Sequence, residues 1–325
     1  MNSTEPVAAR SDLAPEDRPS LVVWPSASRR AAGTEDLFWK GSRDNRLWEA
    51  MKNRGWRGPF SVPGVRNVAS PPTVGVNAAL NQEDVYWTAT DDHLWEDTWA
   101  GKWSGAHDLE MGSLGSAPSV AVWPSLTRNP PGQEDLFWKG SGDNRLWEAV
   151  KSDGWQGPFP VPGVDNVASA PTAAVNAALN QEDIYWTGTD NHLWEDTWAG
   201  KWSGPHELEM GSLGSTPSLV VWPGLARSGQ EDLFWKGSGD SRLWEASKDS
   251  RWVGPRSPPG IANVASAPTA AVNTALNQED IYWTGTDNHL WEETWAGKWS
   301  LPHRLVVDRL IAGGRRTVAR SHGAG

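Results

Sequence analysis

Six Glu-Asp pairs begin at residues 35, 83, 134, 182, 231 and 279. Two acidic residues so close together would suit glycoside hydrolysis, which sets one carboxyl as acid and another as base or nucleophile. That chemistry needs one asymmetric constellation whose two pKa values are driven apart. Here the pairs recur in near-identical surroundings, such as EDLFWK at 134–139 and EDIYWT at 182–187. No unit carries a distinct acid or nucleophile, so a glycosidase is the least favoured reading and no catalytic residue is assigned. His93, His192 and His289 each precede Leu-Trp, but no second ligand stands at a useful spacing, so no metal and no cofactor is expected. Binding is the chemistry that remains. The chain has 24 Trp against 5 Phe and 3 Tyr. An indole can stack on the C–H face of a pyranose while Asn, Asp or Glu accepts its hydroxyls.

Tryptophans common to all units, such as Trp39, Trp48 and Trp56, suit packing between repeats, because aromatics carry much of the buried area in short-stranded folds. Positions that alternate between units are better ligand candidates. Trp99, Trp198 and Trp295 occur only in even units. So do Asn77, Asn176 and Asn273, and the loop residues Asn81, Asn180 and Asn277. Two readings fit them: a shallow ligand pocket recurring three times on one face, or a packed cluster under a loop with the asparagines as turn residues.

The elements that must hold these residues are set by a repeat. Spacings of 48, 51, 48, 49 and 48 residues between the Glu-Asp pairs define six units of about 49, paired into three double units. A fixed period in the forties signals a propeller or a helical array. Each unit offers four short strands, A to D, separated by turn residues. In the first unit these are Leu21-Val-Val-Trp24, Asp36-Leu-Phe-Trp39, Arg46-Leu-Trp-Glu49 and the segment around Trp56. Leu37 and Trp39 fall on one face of strand B, with Asp36, Phe38 and Lys40 on the other. No apolar series at helical spacing lasts ten residues. The expected fold is all-β: a six-bladed β-propeller of four-stranded repeats with pseudo-threefold symmetry. Its blades span roughly 18–66, 67–116, 117–165, 166–214, 215–263 and 264–305. Residues 1–17 read as a disordered leader and 306–325 as a basic tail, with Leu305 to Ile311 as a candidate closing strand. Gly41-Ser-Arg-Asp44-Asn-Arg-Leu-Trp48 resembles the Asp box of sialidase propellers without its glycine, and reads as hairpin-turn chemistry.

Net charge is −11 and the pI about 5.1, with no basic stripe in the repeats, which argues against nucleic acid as a partner. Without cysteine there is neither a disulfide nor a thiolate metal site. No apolar run is long enough for a membrane span. The N-terminus lacks the apolar core of a Sec signal, so the protein is expected in the cytoplasm or exported by another route. An oligomer is compatible with all of this.

The recurring Leu-Phe-Trp-Lys-Gly-Ser-x-Asp-x-x-Leu-Trp-Glu, followed by Gly-Trp-x-Gly-Pro, resembles the PLL-type bacterial β-propeller lectins over residues 18–305. That family typically has seven repeats, whereas this chain has six. The chain is more distantly similar to the six-bladed fungal fucose lectins, which use an Arg, a Glu and a Trp at each site. The resemblance implies a multivalent, non-catalytic lectin whose partners are glycans or glycoconjugates, with fucose or related monosaccharides as ligands. It also implies Glu49, Glu148 and Glu245 as ligand residues. No Arg occupies strand B, where Asp36 and Lys40 stand. A propeller that serves protein interaction alone is the alternative.

Overall fold

The structure is a computed structural model that describes residues 18–25, 30–42, 44–124, 132–223, 227 and 229–305. The expected leader and tail, and the closing strand beyond Leu305, lie outside the described residues. The first unit forms β1 (Ser20–Val23), β2 (Glu35–Lys40), β3 (Leu47–Lys52) and β4 (Trp56–Ser61). The second forms β5 (Thr73–Asn77), β6 (Gln82–Thr88), β7 (His93–Trp99) and β8 (His107–Ser113). Four further units repeat this plan, giving six antiparallel four-stranded sheets, each ordered as its strands follow in the chain. The first strands of successive sheets touch one another in turn, and the innermost strand of the sixth unit returns to β1. The fold is a six-bladed β-propeller.

The alternation of strand B is what builds the ring. Side chains one residue apart point to opposite faces of a sheet, so each blade feeds two junctions. Phe38 packs with Val85 and Trp87 of the second blade, whereas Leu37 and Trp39 pack with Tyr282 of the sixth. The same alternation splits every Glu-Asp pair. Asp36 faces the second blade, where Trp24 Nε1 bridges it to Glu83 at 2.8 and 3.1 Å. Glu35 faces the sixth blade, accepting from Tyr282 at 2.7 Å and from Asn273 at 3.1 Å. The two carboxyls of one pair therefore never meet.

Junctions thus come in two kinds. From an even blade to the next odd one, a lysine is held between carboxylates. Lys52 Nζ lies 2.6 Å from Glu292 and 3.1 Å from Glu35, and Lys248 lies 2.6 Å from Glu195 and 3.3 Å from Glu231. Tyr86, Tyr185 and Tyr282 each donate to the odd blade's Glu and rest against Trp155, Trp252 and Trp56 edge-to-face. A buried ion pair is tolerable when further hydrogen bonds satisfy its atoms, and the tyrosine and asparagine do this. Burial, with the neighbouring Asp84 or Asp183 charge, pushes Glu134 up to about 8 and Glu231 up to about 7. A carboxyl whose folded pKa is raised contributes stability that is complete below its ordinary range and lost as pH rises through the folded value. Melting temperature is therefore expected to fall between about pH 4.5 and 8 on account of these groups, and Glu134→Gln should flatten part of that slope. A profile unchanged by Glu134→Gln would contradict the assignment.

The hairpin turns follow the Asp chemistry expected of them. Asp44 Oδ1 accepts from Arg46 N at 3.1 Å and Trp48 Nε1 at 3.4 Å, and Asp143 and Asp240 do the same. A second carboxylate ties the C–D connection of even blades. Asp97 Oδ1 accepts from Ser104 Oγ and Gly105 N, both at 2.9 Å, and Asp196 repeats this. In the sixth unit Glu293 replaces that Asp, and Leu301, 81% exposed, replaces the glycine. Both Glu293 oxygens are buried without a hydrogen bond, and burial beside Glu245 pushes the carboxyl up to about 8. Glu293→Asp with Leu301→Gly is expected to restore the tie and add about 1–2 kcal/mol. Urea unfolding checks this, and a loss of stability would count against it.

Candidate functional site

The odd-to-even junctions are built differently. Between blades one and two, Arg30 enters from the loop joining β1 to β2. Its Nε lies 3.0 Å from Asp36 Oδ2 and its Nη2 lies 2.8 Å from Glu49 Oε1. Its guanidinium also meets the Met51 sulfur. The guanidinium carbon lies over the Trp99 ring, 4.3 Å from its centroid, a cation–π contact. Trp99 comes from the end of β7 in the second blade and meets Trp24 edge-to-face at 5.9 Å. Burial raises the pKa of Asp36, Glu49 and, most strongly, Glu83, and the Arg30 charge opposes each shift. An Arg, a Glu and a Trp from two blades thus converge at this junction, above Trp24, Asp36 and Glu83.

The aromatic pair and the carboxylates recur at the other two odd-to-even junctions. Between blades three and four, Trp123 and Trp198 lie 5.9 Å apart, and Asp135, Glu148 and Glu182 bring oxygens within 4.8 Å of one another. The matching loop carries Arg128, which lies outside the described residues. Between blades five and six, Arg227 sits 3.7 Å over Trp295, in a cleft of about 380 Å³ that Gln230, Glu245, Ser247, Arg256 and Glu279 also line. That volume is within the usual range for small-ligand sites, roughly 300–1,000 Å³.

The structure thus brings together Trp99 with Glu49 and Trp295 with Glu245, and puts Trp198 and Glu148 at the matching junction. It corrects the view of Asn77, Asn176 and Asn273 as ligand residues. They are fully buried at the opposite junctions, where Asn77 Nδ2 donates to Gly132 O and Glu134 Oε1, both at 2.7 Å. Their amides are spent on joining blades. Asn81, Asn180 and Asn277 take left-handed φ of 55, 53 and 52°, a turn conformation that asparagine tolerates. Sequence reasoning missed Arg30 and Arg227. It looked for an arginine on strand B, whereas they sit in A–B loops whose length and composition vary. A signal was present: each odd A–B loop carries an arginine near the same place, at 30, 128 and 227. His93 also gains a neighbour not visible in spacing, Asp108 Oδ2 at 2.7 Å, and this hydrogen bond raises its pKa.

Fold and geometry together define a six-bladed β-propeller with two alternating kinds of inter-blade junction, one of which gathers Arg, Glu and Trp between blades one and two and between blades five and six. Solved structures of similar fold include several that are lectins by name. A mutant of AofleA from Arthrobotrys oligospora aligns with TM-score 0.71 and 15% identity, covering 89% of this chain and 86% of that one. Aleuria aurantia lectin, in complex with Fucα1-6GlcNAc, aligns with TM-score 0.70 and 16% identity over 91% and 98%. BP39L lectin from Burkholderia pseudomallei aligns with TM-score 0.69 and 20% identity over 89% and 84%. No family model and no curated protein matches the sequence.

Proposed function

We propose that this chain is a non-catalytic, multivalent carbohydrate-binding protein with three sites, one at each odd-to-even junction. The observation that carries the proposal is the convergence of Arg30, Glu49 and Trp99 from two blades at one junction, with counterparts around Trp198 and, in an open cleft, around Trp295. The indole supplies a stacking surface, the guanidinium donates to ring and hydroxyl oxygens, and Glu49 or its counterpart accepts a hydroxyl. Aleuria aurantia lectin, a propeller of similar fold, is described as recognising fucose, so fucose and related monosaccharides are the first ligands to try. Net contributions of roughly 0.5–1.5 kcal/mol per hydrogen bond make one shallow site weak. Linked sites can raise avidity by about 10²–10⁴ on a glycan-bearing surface. Hydrolysis is disfavoured because each Glu-Asp pair is divided between two junctions, and Asp36 and Glu83 are wholly buried on Trp24. A glycan array with the purified chain tests the proposal. Reproducible binding of one sugar class supports it. Silence across the array would favour a protein-interaction role, and turnover of a nitrophenyl glycoside would restore the enzyme reading.

A further inference from the structure

The three odd-to-even sites are not copies of one another, and the differences lie at the rim. The residue paired with the site Glu across to the outer strand is Phe60 for Glu49 and Phe159 for Glu148, but Arg256 for Glu245. Directly paired cross-strand residues share a face at about 4.5–5.5 Å between Cβ atoms, so this residue stands beside the carboxylate. Two positions along the same strand face, Met51 and Val150 give way to Ser247. Phe60 and Phe159 are 47% and 49% exposed, so the first two sites have an apolar rim. The first unit has an outer-strand cation too, Arg57, but it pairs with Met51 instead of the Glu, and Val253 takes its place in the fifth unit.

The exchange rearranges the charges. At the first site Arg30 is engaged by both Asp36 and Glu49. At the third, Arg256 Nη2 takes Glu245 Oε1 at 2.6 Å and Ser247 Oγ at 3.2 Å. Arg227 instead lies over Trp295 at 3.7 Å with Trp222 at 4.8 Å, and it joins no ion pair among the described residues. The Arg256 side chain is 58% exposed. Two guanidiniums therefore line one cleft; of the carboxylates that share its lining, Glu245 is bound to the outer guanidinium, Glu279 has its pKa raised by burial, and Asp249 completes the set. A guanidinium fork matches a carboxylate in two parallel hydrogen bonds, stronger than neutral ones. We infer that the cleft between blades five and six takes a carboxylate-bearing saccharide, with Arg227 and Arg256 receiving the anion, while the Phe-rimmed sites take neutral sugars.

This inference rests on the saccharide-binding function proposed above. The test is calorimetry with methyl uronides of the gluco and galacto series, each against its neutral hexoside, so that only the C6 carboxylate differs. At least one uronide should bind the wild-type chain at one site, at least tenfold tighter than its hexoside. Added salt should weaken the uronide and spare the hexoside. Arg256→Phe should remove the preference, and Arg256→Lys should keep only part of it, because an ammonium lacks the fork. Phe60→Arg should create a second uronide site, which keeps the test decisive if Arg256→Phe does not fold. Uronides binding no tighter than hexosides in the wild type, or a preference that survives Arg256→Phe, would overturn the inference and leave neutral-sugar binding standing. If no saccharide of any class binds, on the array or in calorimetry, the inference fails together with the function it rests on.

Discussion

Alanine in place of Trp99, Trp198 and Trp295 together is expected to abolish monosaccharide binding while the strand signature in circular dichroism stays unchanged. Each indole is half-buried and rests edge-on against Trp24, Trp123 or Trp222, and Trp295 lines the cleft between blades five and six. Each comes from the even blade, whereas the site Glu comes from the odd one, so removing the indole removes one wall of the cleft. Losing a stacking surface worth about 1.4 kcal/mol or more costs at least tenfold in affinity, enough to put an already weak site out of reach. Single replacements should lower the stoichiometry one site at a time. Because Arg256 makes the third site differ, a neutral sugar should report two like sites from Trp99 and Trp198, and Trp295→Ala should leave those two unchanged. Binding that persists in the triple variant would take these indoles out of the mechanism. A stoichiometry near six would move attention to the other junctions, where Trp56, Trp155 and Trp252 stand.

The largest stability effect is expected at Trp87. Its ring has no exposed surface, it packs with Phe38 and Leu47 of the first blade, and its Nε1 donates to Asn67 Oδ1 at 3.2 Å. Trp87→Ala should cost about 3–5 kcal/mol, the range for truncating a buried aromatic side chain. It would also leave the Asn67 carbonyl without its donor. Trp99→Ala should cost clearly less, because part of that indole already faces solvent. Chemical denaturation of the two variants side by side separates the roles. Equal losses would mean that Trp99 is core, and the candidate cleft would then lose its binding wall.

The six blades could be read from the sequence because their signal is redundant. Four tryptophans per unit, Gly-rich turns and the alternation of Leu37, Phe38 and Trp39 all say strand, and the period says ring. Half of the site could be read too, since Trp99 differs between unit types and Glu49 fits a known pattern. Asn77 misled because an amide at a strand end serves a turn, a ligand or a blade junction equally well, and only the fold shows Gly132 O and Glu134 in front of it. Arg30 was hidden for the opposite reason: the loop that carries it varies, although its guanidinium lands between two fixed carboxylates. The distinct character of the third site was spelled out as Phe60, Phe159 and Arg256. Its meaning depended on register, because irregular pairing between β3 and β4 decides which outer residue stands opposite the Glu.

The alternation of junctions also limits how such a ring can be assembled. Each blade behaves like a domino with two unlike ends: an odd blade offers Arg and Glu on one side and Glu and Lys on the other, and an even blade supplies the matching halves. An odd tally of blades would force two like ends together somewhere. That seam would set an arginine loop against a blade without its Trp99 counterpart, or a lysine against one without its tyrosine and Glu. A longer or shorter ring free of such a seam would differ from this one by whole pairs of units, the same double unit in which the sequence repeats. The seam between the sixth and first blades uses the same Lys52, Glu292 and Tyr282 contacts found at the other even-to-odd junctions. The ring does not distinguish the junction where the chain begins and ends from the two like it, so a permuted chain opened at either of those would rebuild the same six contacts.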